Sequence, residues 1–229
     1  MKLGKNGKEK SIGCPKRRAY AIGLIVIFAV EFMLRDFFLP EKAKNFDIGS
    51  IMVVEWVALT FLVVFWIPRV EKKGLESIGL GRFRSRYLGW GVLAYILVLG
   101  ASMVSGVLLE SVGLKSLRSL QPLIKGYSFV TLSGLFLTGT FLEEVFYRGY
   151  LIERTTILTG HRWVAASVSW FLFTLVHLKF FGLGPTIDTS IISVALVLLY
   201  LKERSIWPCV TLHGINDILA FLIFPLLIP

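Results

Sequence analysis

Cysteine, histidine and acidic residues are all scarce in this chain. Its 229 residues include two cysteines, three histidines, and 15 Asp and Glu against 25 Lys and Arg. Cys14 lies in a basic tail and Cys209 in an apolar segment, so we expect no disulfide bond. A net charge of +10 on a soluble protein would suggest nucleic acid, but here the cations lie mainly in the tail and between apolar runs. We therefore expect a lipid bilayer as partner and no nucleic acid.

Apolar residues make up 55% of the chain, above the roughly 45–50% of soluble domains. They form runs of spanning character, because about 20 apolar residues cross the hydrocarbon core. The predicted spans are 18–39, 50–68, 87–109, 127–150, 163–181, 186–201 and 207–228. The predicted fold is all-α, a polytopic transmembrane bundle of about seven spans. Eight is the alternative if an extra half-span or re-entrant turn lies near 180–185.

Lys and Arg are concentrated on one side of these predicted spans. The N-terminal tail and the second, fourth and sixth loops carry most of them, which predicts a cytoplasmic N-terminus in a prokaryotic-type cell membrane. We expect the second loop to be a partly amphipathic stretch on the membrane surface. The predicted parts are a basic tail (1–17), N-terminal transmembrane helices (18–126) with a basic cytoplasmic loop (69–86), and a core domain (127–229).

Two adjacent carboxylates and an arginine lie inside the fourth run, where each charge costs about 2.5–3.5 kcal/mol at mid-membrane. Glu144 and Arg148 are four residues apart, so they share a helix face and are expected to form an ion pair. Glu143 lies about 100° away around the helix axis and is outside that pair. We therefore expect Glu143 to point into a cavity and act as a general base.

Two of the three histidines also lie in predicted spans. Phe173 precedes His177 by four residues, and His213 precedes Asp217 by four, so each pair shares a helix face. Asp217 is expected to accept the proton-bearing nitrogen of His213 and fix its tautomer. A lone intramembrane histidine is more often a helix–helix hydrogen-bonding residue. A glutamate and two histidines on three helices instead favour water-activating or metal-assisted hydrolysis.

Other intramembrane protease motifs are missing. The sequence has no H-E-x-x-H of a zinc enzyme, no G-x-S-G of a rhomboid serine protease and no G-x-G-D of a presenilin-type aspartyl protease. Its own motifs are Glu143-Glu144-x-x-x-Arg148, Phe173-x-x-x-His177 and His213-x-x-x-Asp217. In order and spacing they resemble the three motifs of the CPBP (Abi) family of type II CAAX-processing endopeptidases and bacteriocin-processing or immunity proteins. The resemblance covers about 127–220.

The resemblance implies a helical membrane bundle with a conical cavity open to the cytosol. It implies that Glu143 and His177 activate water, that His213 and the residue at 217 form an oxyanion hole, and that Glu144 and Arg148 support the site. This family often has Asn at the last position, whereas this chain has Asp217, with Asn216 beside it. An ionised Asp cannot donate to an oxyanion, so Asp217 is protonated, only orients His213, or helps to hold a cation.

The metal requirement stays open at this stage. Family members are often described as metalloproteases, and Glu143, His177 and His213 would be the ligands of a Zn²⁺ ion. A metal-independent mechanism with Glu143 as base works equally well, and it is slightly favoured over Zn²⁺.

The sequence thus predicts an intramembrane endopeptidase that cleaves a small peptide or a membrane-anchored protein near the cytosolic face. A prenylated CAAX substrate is not favoured, because nothing in the sequence identifies a prenylating host. The rivals are a catalytically silent immunity or scaffold protein of the same fold, and a proton-coupled transporter that uses Glu and His as a relay. The missing internal repeat counts modestly against the transporter.

Overall fold

A computed structural model describes residues 14–37, 48–114 and 128–223, and within these ranges the protein is all-helical, without strands. We number seven helices in chain order, several of which change between α- and π-helical hydrogen bonding. They are α1 (Cys14–Phe37), α2 (Ile48–Thr60, then π-helical Phe61–Val70), α3 (Arg86–Ser111), α4 (Phe129–Leu137, then π-helical Thr138–Leu151, then Ile152–Thr159), α5 (Arg162–Phe181), α6 (Leu183–Glu203) and α7 (Trp207–Asp217, then π-helical Ile218–Ile223). A 3₁₀ turn (Leu75–Ile78) lies between α2 and α3.

Four helices of the described ranges are long and apolar enough to cross a membrane. They are Val53–Val70, Arg86–Ser111, Phe129–Thr159 and Leu183–Glu203, and α5 contributes a shorter apolar stretch, Arg162–Leu178. The prediction of an all-α transmembrane bundle is confirmed at this level. The total of seven or eight spans stays a prediction, and so does the three-part division of the chain.

The α5–α6 connection lies where a half-span or re-entrant turn is the predicted alternative, which stays a prediction. A single residue, Gly182, separates the two helices. Its φ of +77° reverses the chain in a conformation that side-chain-bearing residues rarely adopt. α5 and α6 therefore form a tight helical hairpin and pack along each other.

α4 is longer than its predicted span of 127–150. Ser128 begins it with an N-cap, in which the Ser128 hydroxyl accepts from the Thr131 N–H at 3.1 Å. The helix then continues past Arg148 to Thr159 and ends at Gly160, which has a φ of +78°. This continuation brings a second set of polar side chains, beyond the motif residues, onto the same helix.

The central packing lies between α4, α6 and α7. Leu142 and Val145 of α4, Leu196 of α6 and Leu212 of α7 are fully buried. α3 packs along both α6 and α7. The motif-bearing helices are thus held side by side around one core.

A buried ion pair ties the segment after α2 to the far part of α4. Arg154 is fully buried, and its Nε donates to Glu71 Oε2 at 2.8 Å. Tyr150 donates its hydroxyl to the other oxygen of Glu71 at 2.6 Å. Arg154 Nη1 also donates to the Ser77 carbonyl at 3.1 Å. These bonds satisfy a charge pair that would be costly to bury alone.

The rest of this segment also packs on the bundle, while the position of the 69–86 loop on the membrane surface stays a prediction. Ile78 is fully buried, and the Ile206 N–H donates to the Gly79 carbonyl at 3.1 Å. The Trp207 indole donates to the Gly81 carbonyl at 2.8 Å. Ile78 thus packs against protein at the α6–α7 junction, whereas Phe83 and the basic side chains of the loop remain exposed.

Candidate active site

Glu144 and Arg148 form the predicted ion pair on α4. Both side chains are fully buried, and Arg148 Nη1 donates to Glu144 Oε1 at 3.1 Å. Arg148 Nη2 donates to Ser193 Oγ on α6 at 3.0 Å. The guanidinium lies over the ring of Phe173, 4.1 Å from its centroid. Arg148 therefore joins α4, α5 and α6 at one point.

His213 of α7 makes its short hydrogen bond to Glu144, not to Asp217 as expected. The distance from His213 Nδ1 to Glu144 Oε1 is 2.8 Å. An ionised carboxylate only accepts, so Nδ1 carries the hydrogen and Glu144 fixes the orientation of the ring. His213 Nε2 faces Asp217 Oδ2 at 3.5 Å. Glu144, which is predicted to support the site together with Arg148, thus also positions the imidazole of His213.

Asp217 acts as an acceptor on both oxygens. Thr140 of α4 donates its hydroxyl to Asp217 Oδ2 at 3.2 Å, and Asn216 Nδ2 donates to Oδ1 at 3.2 Å. Gly139 leaves room beside it, since a Cβ there would lie 3.0 Å from Oδ2. Both carboxylate oxygens thus have a donor in the structure, and the three alternatives for the role of Asp217 stay predictions.

Phe173 brings the two motif histidines into one neighbourhood. Its ring centroid is 4.3 Å from that of His177 and 6.3 Å from that of His213. His177 Nδ1 lies 2.8 Å from the Phe173 carbonyl oxygen. Because a carbonyl oxygen only accepts, Nδ1 is the donor, and Nε2 takes no part in this bond. His177 lies near the end of α5. One turn earlier in the same helix, Phe173 contacts both Arg148 and His213.

Glu143 is buried, with 7% of its surface exposed. It lies near enough to His213 and Asp217 to act electrostatically on both. It is outside the Glu144–Arg148 ion pair, as predicted, and interacts with neighbours of its own. Its role as general base and its partnership with His177 stay predictions.

The conditional Zn²⁺ site finds no support in the geometry. Within the ranges that the structure describes, no three His, Cys, Asp or Glu side chains are grouped to hold a metal ion. Glu143, His177 and His213 are not grouped closely enough there to count as such a cluster. The metalloprotease description is not supported, and we derive no step through a metal.

Three polar residues around the site were missed by the sequence interpretation. Ser193 accepts from Arg148, and Thr140 donates to Asp217. Asp188 is 2% exposed within α6, although it lies in a predicted span where a carboxylate is costly. The spacing rules that identified the motifs could not find the two hydroxyls, because Ser and Thr are common in membrane helices. For Asp188, the only signal in the sequence was a charged residue inside a predicted span.

Comparison with known families gives one match. The family model described as type II CAAX prenyl endopeptidase Rce1-like matches residues 125–219. These residues are similar to an Rce1-like domain. All three motifs lie inside the matched residues, so the resemblance to CAAX-processing endopeptidases is confirmed. The match supports a protease with membrane helices, and it covers less than half of the chain. No curated protein and no solved structure gives a significant match.

Proposed function

We propose that this protein is an intramembrane endopeptidase whose site is formed by Glu143, His177, His213 and Asp217. It hydrolyses a peptide bond of a small peptide or a membrane-tethered protein near the cytosolic face. The hydrogen bond from His213 Nδ1 to the buried Glu144–Arg148 pair carries this proposal. Burying the Glu144 carboxylate costs free energy that a purely structural role would not need. Its bonds to Arg148 and His213 fix the orientation of the imidazole ring, and a preorganised catalytic site needs such a fixed group.

The proposed chemistry uses the chain's own side chains. Glu143 takes a proton from water, with His177 as its partner, and the water oxygen attacks the substrate carbonyl carbon. His213 acts here as an imidazolium with a hydrogen on each ring nitrogen: Nδ1 donates to Glu144, which orients the ring, and Nε2 donates to the developing oxyanion. Glu143 then returns the proton to the leaving amine as the peptide C–N bond breaks. Asp217 and Thr140 position the His213 side of the site.

The alternatives have less support. A silent immunity or scaffold protein would not need the complete motif set, which is present here together with the Glu144–His213 bond. A proton-coupled transporter would use the same buried acid and imidazole groups as a relay. The match of residues 125–219 to a CAAX endopeptidase family favours hydrolysis over transport.

Comparative peptidomics with an isosteric variant tests the proposal. We expect Glu143→Gln to abolish products that accumulate in cells with the wild-type protein, since the amide cannot accept the water proton. Glu76→Gln is the matched control, because Glu76 is an exposed glutamate in the 3₁₀ turn, and it should leave the products unchanged. A folded Glu143→Gln protein that yields the wild-type products contradicts the protease. Proton flux in liposomes that depends on Glu143 would instead support the transporter.

A further inference from the structure

We propose that Arg82, Phe83 and Arg84 form a binding surface for the headgroup of an anionic phospholipid. This Arg-Phe-Arg surface lies in the loop before α3, at the end of the bundle where the 71–81 segment is packed. It is separate from the candidate active site.

The two arginines are uncommitted cations. Both side chains are exposed, and within the described parts of the chain neither forms a salt bridge or a side-chain hydrogen bond. Neighbouring arginines differ, because Arg86 pairs with Glu203 and Arg204 pairs with Glu153, each at 2.6 Å. The carboxylates of Glu203 and Glu153 are thus already in use, and no carboxylate of the described residues pairs with Arg82 or Arg84, so their positive potential is left for an external anion.

Phe83 places an aromatic ring between these charges. The ring is 51% exposed, yet its inner edge packs on Trp207 and Tyr87, with centroid distances of 6.0 and 6.4 Å. A half-exposed aromatic ring at the start of a membrane helix is typical of the interfacial belt, where the ring meets the upper acyl chains. Phe83 therefore sets how deeply the Arg-Phe-Arg surface lies in the membrane interface.

The lipid-facing side of α3 begins directly after this surface. Leu88, Leu93 and Ile96 are 49%, 48% and 58% exposed, as expected for side chains in contact with acyl chains. α3 starts at Arg86, so Arg82 and Arg84 precede the hydrocarbon region by only a few residues. Their guanidinium groups then lie at the level of lipid phosphates.

The loop that carries the surface is held in place by the bundle. The Ile206 N–H and the Trp207 indole donate to the carbonyls of Gly79 and Gly81, at 3.1 and 2.8 Å. Gly79 has a φ of +75°, the left-handed conformation that ends the 3₁₀ turn. A fixed loop loses little conformational freedom when a ligand binds, so binding keeps more of its favourable free energy.

The chemistry selects an anionic phosphodiester headgroup. A guanidinium donates two parallel hydrogen bonds to phosphate oxygens, and two arginines flanking one ring can share a headgroup. A zwitterionic headgroup brings its own cation, which this cluster repels. We therefore expect a preference for phosphatidylglycerol over phosphatidylcholine.

Native mass spectrometry of the detergent-solubilised full chain tests the surface. The protein is incubated with phosphatidylglycerol or phosphatidylcholine, and the bound lipid is counted for wild type, Arg82→Gln/Arg84→Gln and Arg69→Gln/Lys73→Gln. The last variant removes the same charge from exposed residues outside the surface. We expect wild type to retain phosphatidylglycerol preferentially, the Arg82/Arg84 variant to lose roughly tenfold or more in affinity, and the control to stay within about twofold.

Two outcomes overturn the proposal. Equal loss of phosphatidylglycerol in both double variants would mean that general surface charge binds it. Retention by the Arg82/Arg84 variant, or equal retention of phosphatidylcholine by wild type, would mean that this surface does not select the headgroup. Neither result depends on protease activity.

Discussion

Glu144 is shared between a cation and an imidazole. Its Oε1 lies 3.1 Å from Arg148 Nη1 and 2.8 Å from His213 Nδ1, and the side chain is fully buried. In such a place the carboxylate charge offsets the buried guanidinium, while the same oxygen orients the ring. Removing it therefore affects both the stability of the fold and the geometry of the site.

We predict that Glu144→Ala destabilises the protein by about 3–5 kcal/mol, because it leaves the Arg148 charge buried and uncompensated. Thermal unfolding in detergent measures this loss of stability. Unfolding is monitored by the reaction of Cys209, which is buried in the folded protein, with a thiol-reactive fluorophore in a Cys14→Ser background. Glu76→Ala is the control, since Glu76 is an exposed glutamate in the 3₁₀ turn, and it should change the stability by no more than about 0.5 kcal/mol. Similar losses in both variants would contradict the role of Glu144.

α4 connects the candidate active site to the packed 71–81 segment. Its apolar stretch, Phe129–Thr159, has 31 residues and would be roughly 45 Å long as an α-helix, well beyond the about 30 Å of a hydrocarbon core. The helix is therefore tilted or extends out of the membrane. The Arg154 ion pair and Gly149, which contacts the 71–81 segment, lie in its second half.

Gly149 is required for the close approach of α4 to the packed segment. A Cβ at this position would lie 2.6 Å from the Ile78 carbonyl oxygen, a backbone atom. We predict that Gly149→Ala displaces the segment and raises tryptic cleavage at Lys72 and Lys73. Gly89→Ala is the matched control on α3, because a Cβ there meets nothing within 4 Å. It should leave cleavage unchanged and stabilise the helix by up to about 1 kcal/mol. Unchanged cleavage in Gly149→Ala would mean that the contact does not hold the segment.

Basic side chains are exposed at one end of the described bundle. Arg69, Lys73, Arg82 and Arg84 lie at the end where the 71–81 segment packs. The positive-inside rule predicts that this end, together with the N-terminal tail, faces the cytoplasm.

The native cysteines test this orientation. We predict that a membrane-impermeant maleimide labels Cys14 in inverted vesicles and leaves it unlabelled in intact cells. Cys209 is fully buried and should stay unlabelled in both, which makes it an internal control. Lys44→Cys in a Cys14→Ser background should show the opposite pattern, because the predicted topology places the loop after the first predicted span outside. Labelling of Cys14 in intact cells would reverse the topology.

The sequence by itself determined the features that form within a single helix. The Glu144–Arg148 pair, the helical class and the approximate bounds of the apolar helices all follow from periodicity and hydropathy, which are local properties. The motif order also carried the resemblance that the match at residues 125–219 confirms. Local rules were sufficient for these features because the interacting groups lie within about one turn.

Contacts between helices were decided by the tertiary structure alone. Nothing in the local sequence assigns the Nδ1 hydrogen of His213 to Glu144, which precedes it by 69 residues, or assigns Ser193 to Arg148. The packing of the 71–81 segment likewise depends on Arg154 and Ile206, which belong to distant helices. A buried polar group takes whichever partner the packed helices bring near, so its partner is set only when the bundle forms.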